Sequence, residues 1–212
     1  MPVKPRTARL RSRSRSRATT RERLLESAAR LFHEQGYHAT GIATILEHAR
    51  VHPGSLYHFF ADKEELLCGV LRWYREILRP VLMEPVEART SDPIERVFRL
   101  LAFYRQMLVD FDFERGCPIG NLALELGDSV PAARALIEDN FDAWTAAVAA
   151  WLAPARGRFP KGTDLDALAQ LVLTTMEGGL MLARARRSLA PFDAAVARLR
   201  EHFRLLEAVR SR

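Results

Sequence analysis

The stretch TGIATILEHARVHPGSLYHFFADK, residues 40–63, is where the fold of this chain is decided. Ile42, Ile45, Leu46 and Ala49 recur at i, i+3, i+4 and i+7, which places them on one face of a short helix. Arg50-Val51-His52 breaks that period. Pro53 suits the opening of a second helix, because the first helical position has no intrahelical use for the N–H that proline lacks. With Leu56, Phe59 and Phe60 turned inward, this helix shows His52, Pro53, Ser55, Tyr57 and His58 to the outside. That is a small polar and aromatic surface of the kind that meets base edges and phosphates in a major groove. Taken alone the pattern also fits an ordinary helical hairpin, so the flanking sequence must choose.

Upstream, Thr19 and Glu22 stand three apart as in a capping box, and Leu24, Leu25, Ala28, Leu31 and Phe32 form an apolar helical stripe. Gly36 is placed to stop that helix, and Thr40 to cap the next. Downstream of Lys63, the pattern Leu66, Leu67, Val70, Leu71, Tyr74, Ile77 and Leu78 predicts a fourth helix running to Pro80. Three helices therefore lie close together, the last two formed by the opening stretch, and a fourth leads away from them.

The segments TRERLLESAARLFHEQGY, ATGIATIL, GSLYHFF and ADKEELL, within residues 20–71, closely resemble the DNA-binding domain of the tetracycline-repressor (TetR) family. The resemblance implies an all-α, homodimeric transcription regulator, usually a repressor released from its operator by a small ligand. Carried over residue by residue, it implies phosphate contacts from Thr40 and Lys63, base contacts from His52, Pro53 and Ser55, and backbone or base-edge contacts from Tyr57 and His58. Two positions depart from the family pattern. Ala43 stands where a polar or basic reader is common, and Arg50 replaces a turn glycine.

The formal charge of +6 is unevenly spread: residues 1–23 hold nine Lys and Arg against Glu22, a net of +8, leaving −2 for the rest. A basic arm over residues 1–18, with alternating Arg and Ser, favours a polyanionic partner; it reads equally as a solubilising tail. The head is expected over 19–66 and an effector-binding and dimerisation body over 67–212. Cys68 and Cys117 are too few for a disulfide framework or metal cluster, so no metal or cofactor is expected. No apolar run approaches the roughly 20 residues of a membrane span, and a cytoplasmic location without membrane attachment is expected.

In the body, Asp92 is read as the cap of a long helix carrying Phe98, Phe103, Tyr104 and Met107, and Ser129 or Asp128 as the cap of another. The aromatic and methionine stripe fits a packed core, while the family resemblance implies that Phe103, Tyr104 and Met107 line a ligand cavity. The segment GCPIGNLALE, residues 116–125, resembles the effector domain of a subgroup of these regulators, some of them responsive to electrophiles or small unsaturated acids. With Pro118 at a helix start, Cys117 occupies the N-cap, where the dipole and Arg115 favour a thiolate; a small buried hydrophobe is the other reading. Asn121, Trp144 and Glu177 complete the candidate ligand set, with core or surface roles open for Trp144 and Glu177. Pro154, Gly157, Pro160 and Gly162 mark a loop. The last two helices, roughly 164–187 and 191–210, are expected to form the dimer contact. Gly178 and Gly179 within them imply close approach of a helix or ligand.

Two other classes fit less well. An enzyme working in the body would need a nucleophile elbow, phosphate loop or metal spacing, and the sequence has none of these. A non-specific architectural DNA binder would act through the basic arm alone.

Overall fold

The computed structural model describes residues 19–126 and 129–210; the basic arm and Asp128 lie outside them. Among the described residues every regular element is helical. Helix α1 (Thr20–Gln35) begins on the expected capping box: the Thr19 hydroxyl accepts the Glu22 N–H, and the Glu22 carboxylate accepts the Thr19 N–H at 2.7 Å. It ends at Gly36, whose φ of 87° suits a residue without Cβ.

Helix α2 (Ile42–Ala49) starts from Gly41 rather than Thr40, without a side-chain cap. Arg50 ends it at φ 53°, ψ 50°, so an arginine takes the left-handed turn that the family usually gives to glycine. The Arg50 carbonyl accepts from Arg23. A 3-10 turn, Pro53–Ser55, leads into α3 (Leu56–Phe59), and Asp62 caps α4 (Lys63–Ile77) by accepting the Glu65 N–H. Leu24, Leu25, Ile45, Leu56, Phe60, Leu66 and Leu67 are buried together beneath these helices.

The expected break at Pro80 does not occur. The chain continues through a π-helical turn, Leu78–Met83, into α5 (Glu84–Glu87). A π turn locally alters the i→i−4 ladder, which accommodates a residue with no N–H to donate. Helix α6 (Pro93–Asp110) is capped by Asp92 as expected. Next come α7 (Pro118–Leu126) and α8 (Pro131–Leu152), the latter preceded by Val130 with no side-chain cap. Ser129 instead donates to the Leu126 carbonyl. Part of the anticipated loop is a 3-10 helix, Ala153–Arg158, before α9 (Leu165–Arg186) and α10 (Ala190–Arg210).

Helix α8 is the hub of the body, touching α4, α6, α7 and α9. Buried Asn140 on it donates to the Leu71 carbonyl of α4 at 3.0 Å, a polar tie inside an apolar interface. Helix α9 is long and apolar enough, by length and composition alone, to cross a membrane; it packs against α6, α8 and α10. Gly179 explains one of its two glycines, since a Cβ there would stand 2.8 Å from the Phe192 ring of α10. Gly178 faces open space.

The head is held to α4 by a similar close approach. A Cβ on Gly69 would meet the Phe60 ring at 2.8 Å and a Leu25 methyl at 3.1 Å. Gly69→Ala is therefore expected to overpack this junction and lower stability by about 1–3 kcal/mol, read as an earlier urea unfolding midpoint at unchanged slope.

Candidate nucleic-acid interface and ligand cavity

The outward face of the second and third helices is built as the period predicts. Leu56 and Phe60 are buried and Phe59 is half-buried, which turns His52, Pro53, Tyr57 and His58 to solvent, with Ser55 half-exposed. Tyr57 is 63% exposed, a large aromatic held out by its backbone rather than packed away. Ala43 is exposed on α2 and brings no hydrogen-bonding group to this face.

Thr40 departs from expectation. It is 0% exposed, and its hydroxyl donates to the Gly36 carbonyl at 2.6 Å. The side chain thus braces the α1–α2 turn instead of capping α2 or facing a phosphate. A buried hydroxyl must find an internal acceptor, and the carbonyl at the end of α1 supplies it. Lys63 is half-buried at the start of α4, with its ammonium 4.2 Å from the centre of the Tyr37 ring. Burial pulls its pKa below the usual lysine range.

The main cavity of the body, about 790 Å³, lies among α7, α8 and α9. That volume suits a drug-sized ligand. Cys117, Asn121 and Glu177 line it, with Ile137, Phe141, Leu173 and Leu180 as apolar wall. Phe103, Tyr104, Met107 and Trp144 do not. Phe103 is 46% exposed, and Met107 packs on the core. Trp144 is buried and donates its indole N–H to the Tyr104 hydroxyl at 3.1 Å, so the pair satisfies itself inside the core.

Cys117 stands at the start of α7, 8% exposed, with the Gly120 N–H directed at its sulfur at 3.5 Å. The expected thiolate is not favoured. Burial pushes the thiol well above the usual cysteine range, and the carboxylate of Glu177, hydrogen-bonded to it, adds to the shift. Arg115 is turned away, paired with Glu34 and laid over the Phe111 ring. The helix-terminal N–H contacts act in the opposite direction but are outweighed. Glu177 is itself raised by burial. Its carboxylate lies flush against Gly120, where an added Cβ would meet Oε2.

Several residues at the seam between cavity and head escape a sequence reading. Glu125, in the last turn of α7, accepts the backbone N–H of Tyr37 at 2.8 Å and of His38 at 2.7 Å. His33 on α1 donates to the Gly116 carbonyl at 2.7 Å, and burial lowers its pKa below the usual imidazole range. Arg184 on α9 donates to Asn121 Oδ1 and to the Glu114 carbonyl. Each link joins residues more than sixty positions apart, so no local period announces it.

A short helix with an outward polar face, braced by a capped helix and joined by a long helix to a cavity-bearing helical body, defines a helix-turn-helix regulator. Residues 24–68 match the model of the bacterial regulatory proteins, tetR family, and residues 93–198 that of the LmrA/YxaF-like transcriptional regulator C-terminal domain. The chain belongs to the TetR family of transcriptional regulators, which are not enzymes. It is 34% identical over 196 residues to the uncharacterized HTH-type transcriptional regulator Rv0196 of Mycobacterium tuberculosis, covering 85% of this chain and 92% of that one. The regulatory protein TetR from Rhodobacter sphaeroides shares the fold, with TM-score 0.78 and 24% identity over 87% of this chain and 99% of that one. So does a cysteine mutant of the TetR family regulator CifR in complex with 26-bp operator DNA, with TM-score 0.69 and 23% identity over 87% and 98% of the two chains.

Because the raised pKa keeps Cys117 protonated near neutral pH, alkylation by iodoacetamide is expected to be slow in the native state. The rate should climb as pH rises past the ordinary cysteine range, and should match a free thiol only in denaturant. Mass spectrometry of the Cys117 peptide over a pH series checks this.

Proposed function

We propose that this chain is a cytoplasmic, ligand-responsive regulator, acting as a repressor, that binds a near-palindromic operator as a homodimer and is released by a small molecule in the α7–α8–α9 cavity. The division into a head over 19–66 and an effector and dimerisation body over 67–212 belongs to the same proposal. The observation that carries it is the double duty of α7. Its first turn lines the cavity through Cys117, Gly120 and Asn121, while Glu125 in its last turn holds the Tyr37 and His38 N–H groups of the head. A ligand that displaces α7 therefore acts on the element that positions the α1–α2 turn.

DNA contact is assigned to His52, Pro53, Ser55, Tyr57 and His58, with Lys63 as a phosphate partner. That CifR, which shares the fold, is found in complex with operator DNA supports DNA as a partner. Homodimerisation is assigned to α9 and α10, which leave Leu171, Leu182, Leu205 and Val209 exposed beside a groove that includes Pro191, Ala195 and Leu199. Two copies would set their recognition helices about 34–36 Å apart, one turn of DNA. Only a ligand with different affinity for two head positions produces release, and a coupling of about 1–3 kcal/mol is usual.

Footprinting of the chain on its own upstream region is expected to show a protected near-palindrome with half-sites one turn apart; no protection at any site would sink the proposal. Glu125→Ala is expected to weaken operator binding about 5-fold or more while the dimer mass holds, since the head loses its seat on α7. Unchanged operator affinity and ligand response would remove α7 from the coupling. Deleting residues 2–18 is expected to lower affinity and flatten its salt dependence but retain sequence preference. Loss of all preference would favour an architectural binder.

A further inference from the structure

We propose that the effector is a small apolar amine, its protonated nitrogen donating to the Glu177 carboxylate and its body lying against Ile137, Phe141, Leu173 and Leu180. This rests on the reading of the cavity as the effector site.

Glu177 projects from mid-α9 onto the first turn of α7 and lines the cavity. One side of its carboxyl group is accounted for: it receives the Cys117 thiol and lies against Gly120. Oε1 is buried and has no hydrogen-bond partner. A buried acceptor without a donor costs free energy that a suitable ligand recovers. Gly178, next along α9, also lines the cavity, and nothing stands within 4 Å of a Cβ placed there.

The charge on the wall selects the donor. Glu138, Asp142 and Glu177 line the cavity against Arg134 and Arg184, and Arg184 already donates to Asn121 and to the Glu114 carbonyl. An anionic ligand would face a surplus of carboxylate. A neutral hydroxyl would give Glu177 a donor but no counter-charge. An ammonium supplies both, and a charge-assisted hydrogen bond is about twice as strong as a neutral one.

The test is calorimetric titration of the full chain with naphthylethylamine, naphthylethanol and naphthylacetate. The amine is expected to bind about tenfold more tightly than the alcohol, and the acetate most weakly. Glu177→Gln should cost the amine about tenfold and the alcohol less than about twofold. The proposal is overturned if the amine fails to bind, if the alcohol or acetate matches it, or if Glu177→Gln leaves its affinity unchanged. Gly178→Leu puts a larger side chain where an added Cβ meets nothing within 4 Å, and it should block all three probes; because Gly178 also borders the α9–α10 groove, the dimer mass of the variant is measured alongside and must be unchanged. Probes that still bind that variant would show that the cavity is not the effector site. Probes blocked by it but ranked alike would overturn only the amine.

Discussion

The carboxylate of Glu125 accepts two successive backbone N–H groups, those of Tyr37 and His38, and that contact seats the turn of the head on the body. These donors lie in the turn between α1 and α2, where no helix or sheet ladder supplies an acceptor. A charged acceptor makes the bonds short and strong. Gly36 makes the approach possible, since a Cβ there would sit 3.0 Å from the Glu125 carboxylate, and the same residue needs its positive φ to end α1. The His33 bond to the Gly116 carbonyl and the Arg115–Glu34 pair extend the seam to the other end of α7. Together they make α7 a short strut between a cavity and a reading head.

In the body, burial decides which polar side chains stay in the core and which face the cavity. Trp144 and Tyr104 satisfy each other and retire into the core, although aromatic groups on facing helices resemble a ligand box in sequence. Cys117 and Glu177 share a bond but leave one carboxylate oxygen unpaired. Natural cores rarely keep such a group without use. The thiol is a donor to a carboxylate here, and the burial that makes it so also removes the thiolate character that an N-cap position by itself suggests.

The head shows the same division on a smaller scale. Its outward residues are set by helical period and by the inward pull of Leu56 and Phe60, so the exposed His52, Tyr57 and His58 follow directly from spacing. Thr40 does not follow. A threonine before a helix reads as a cap, yet the turn places its hydroxyl against the Gly36 carbonyl, and Gly41 takes the capping position. Lys63 likewise has a neighbour that its helix start does not reveal, the ring of Tyr37.

The sequence by itself determined the helices, most of their caps and the outward face of the reading unit, because these depend on neighbours within about four positions along the chain. Of the ligand candidates read from it, Cys117, Asn121 and Glu177 line the main cavity. Tertiary structure alone decided that Pro80 lies in a continuous helix, that Phe103, Tyr104, Met107 and Trp144 stay away from the cavity, and that Glu125 reaches the head. Those outcomes depend on which helices meet and how deeply each side chain is buried where they meet. For Trp144, Tyr104 and Glu125 the deciding contacts join residues forty or more positions apart, and no local period carries that information.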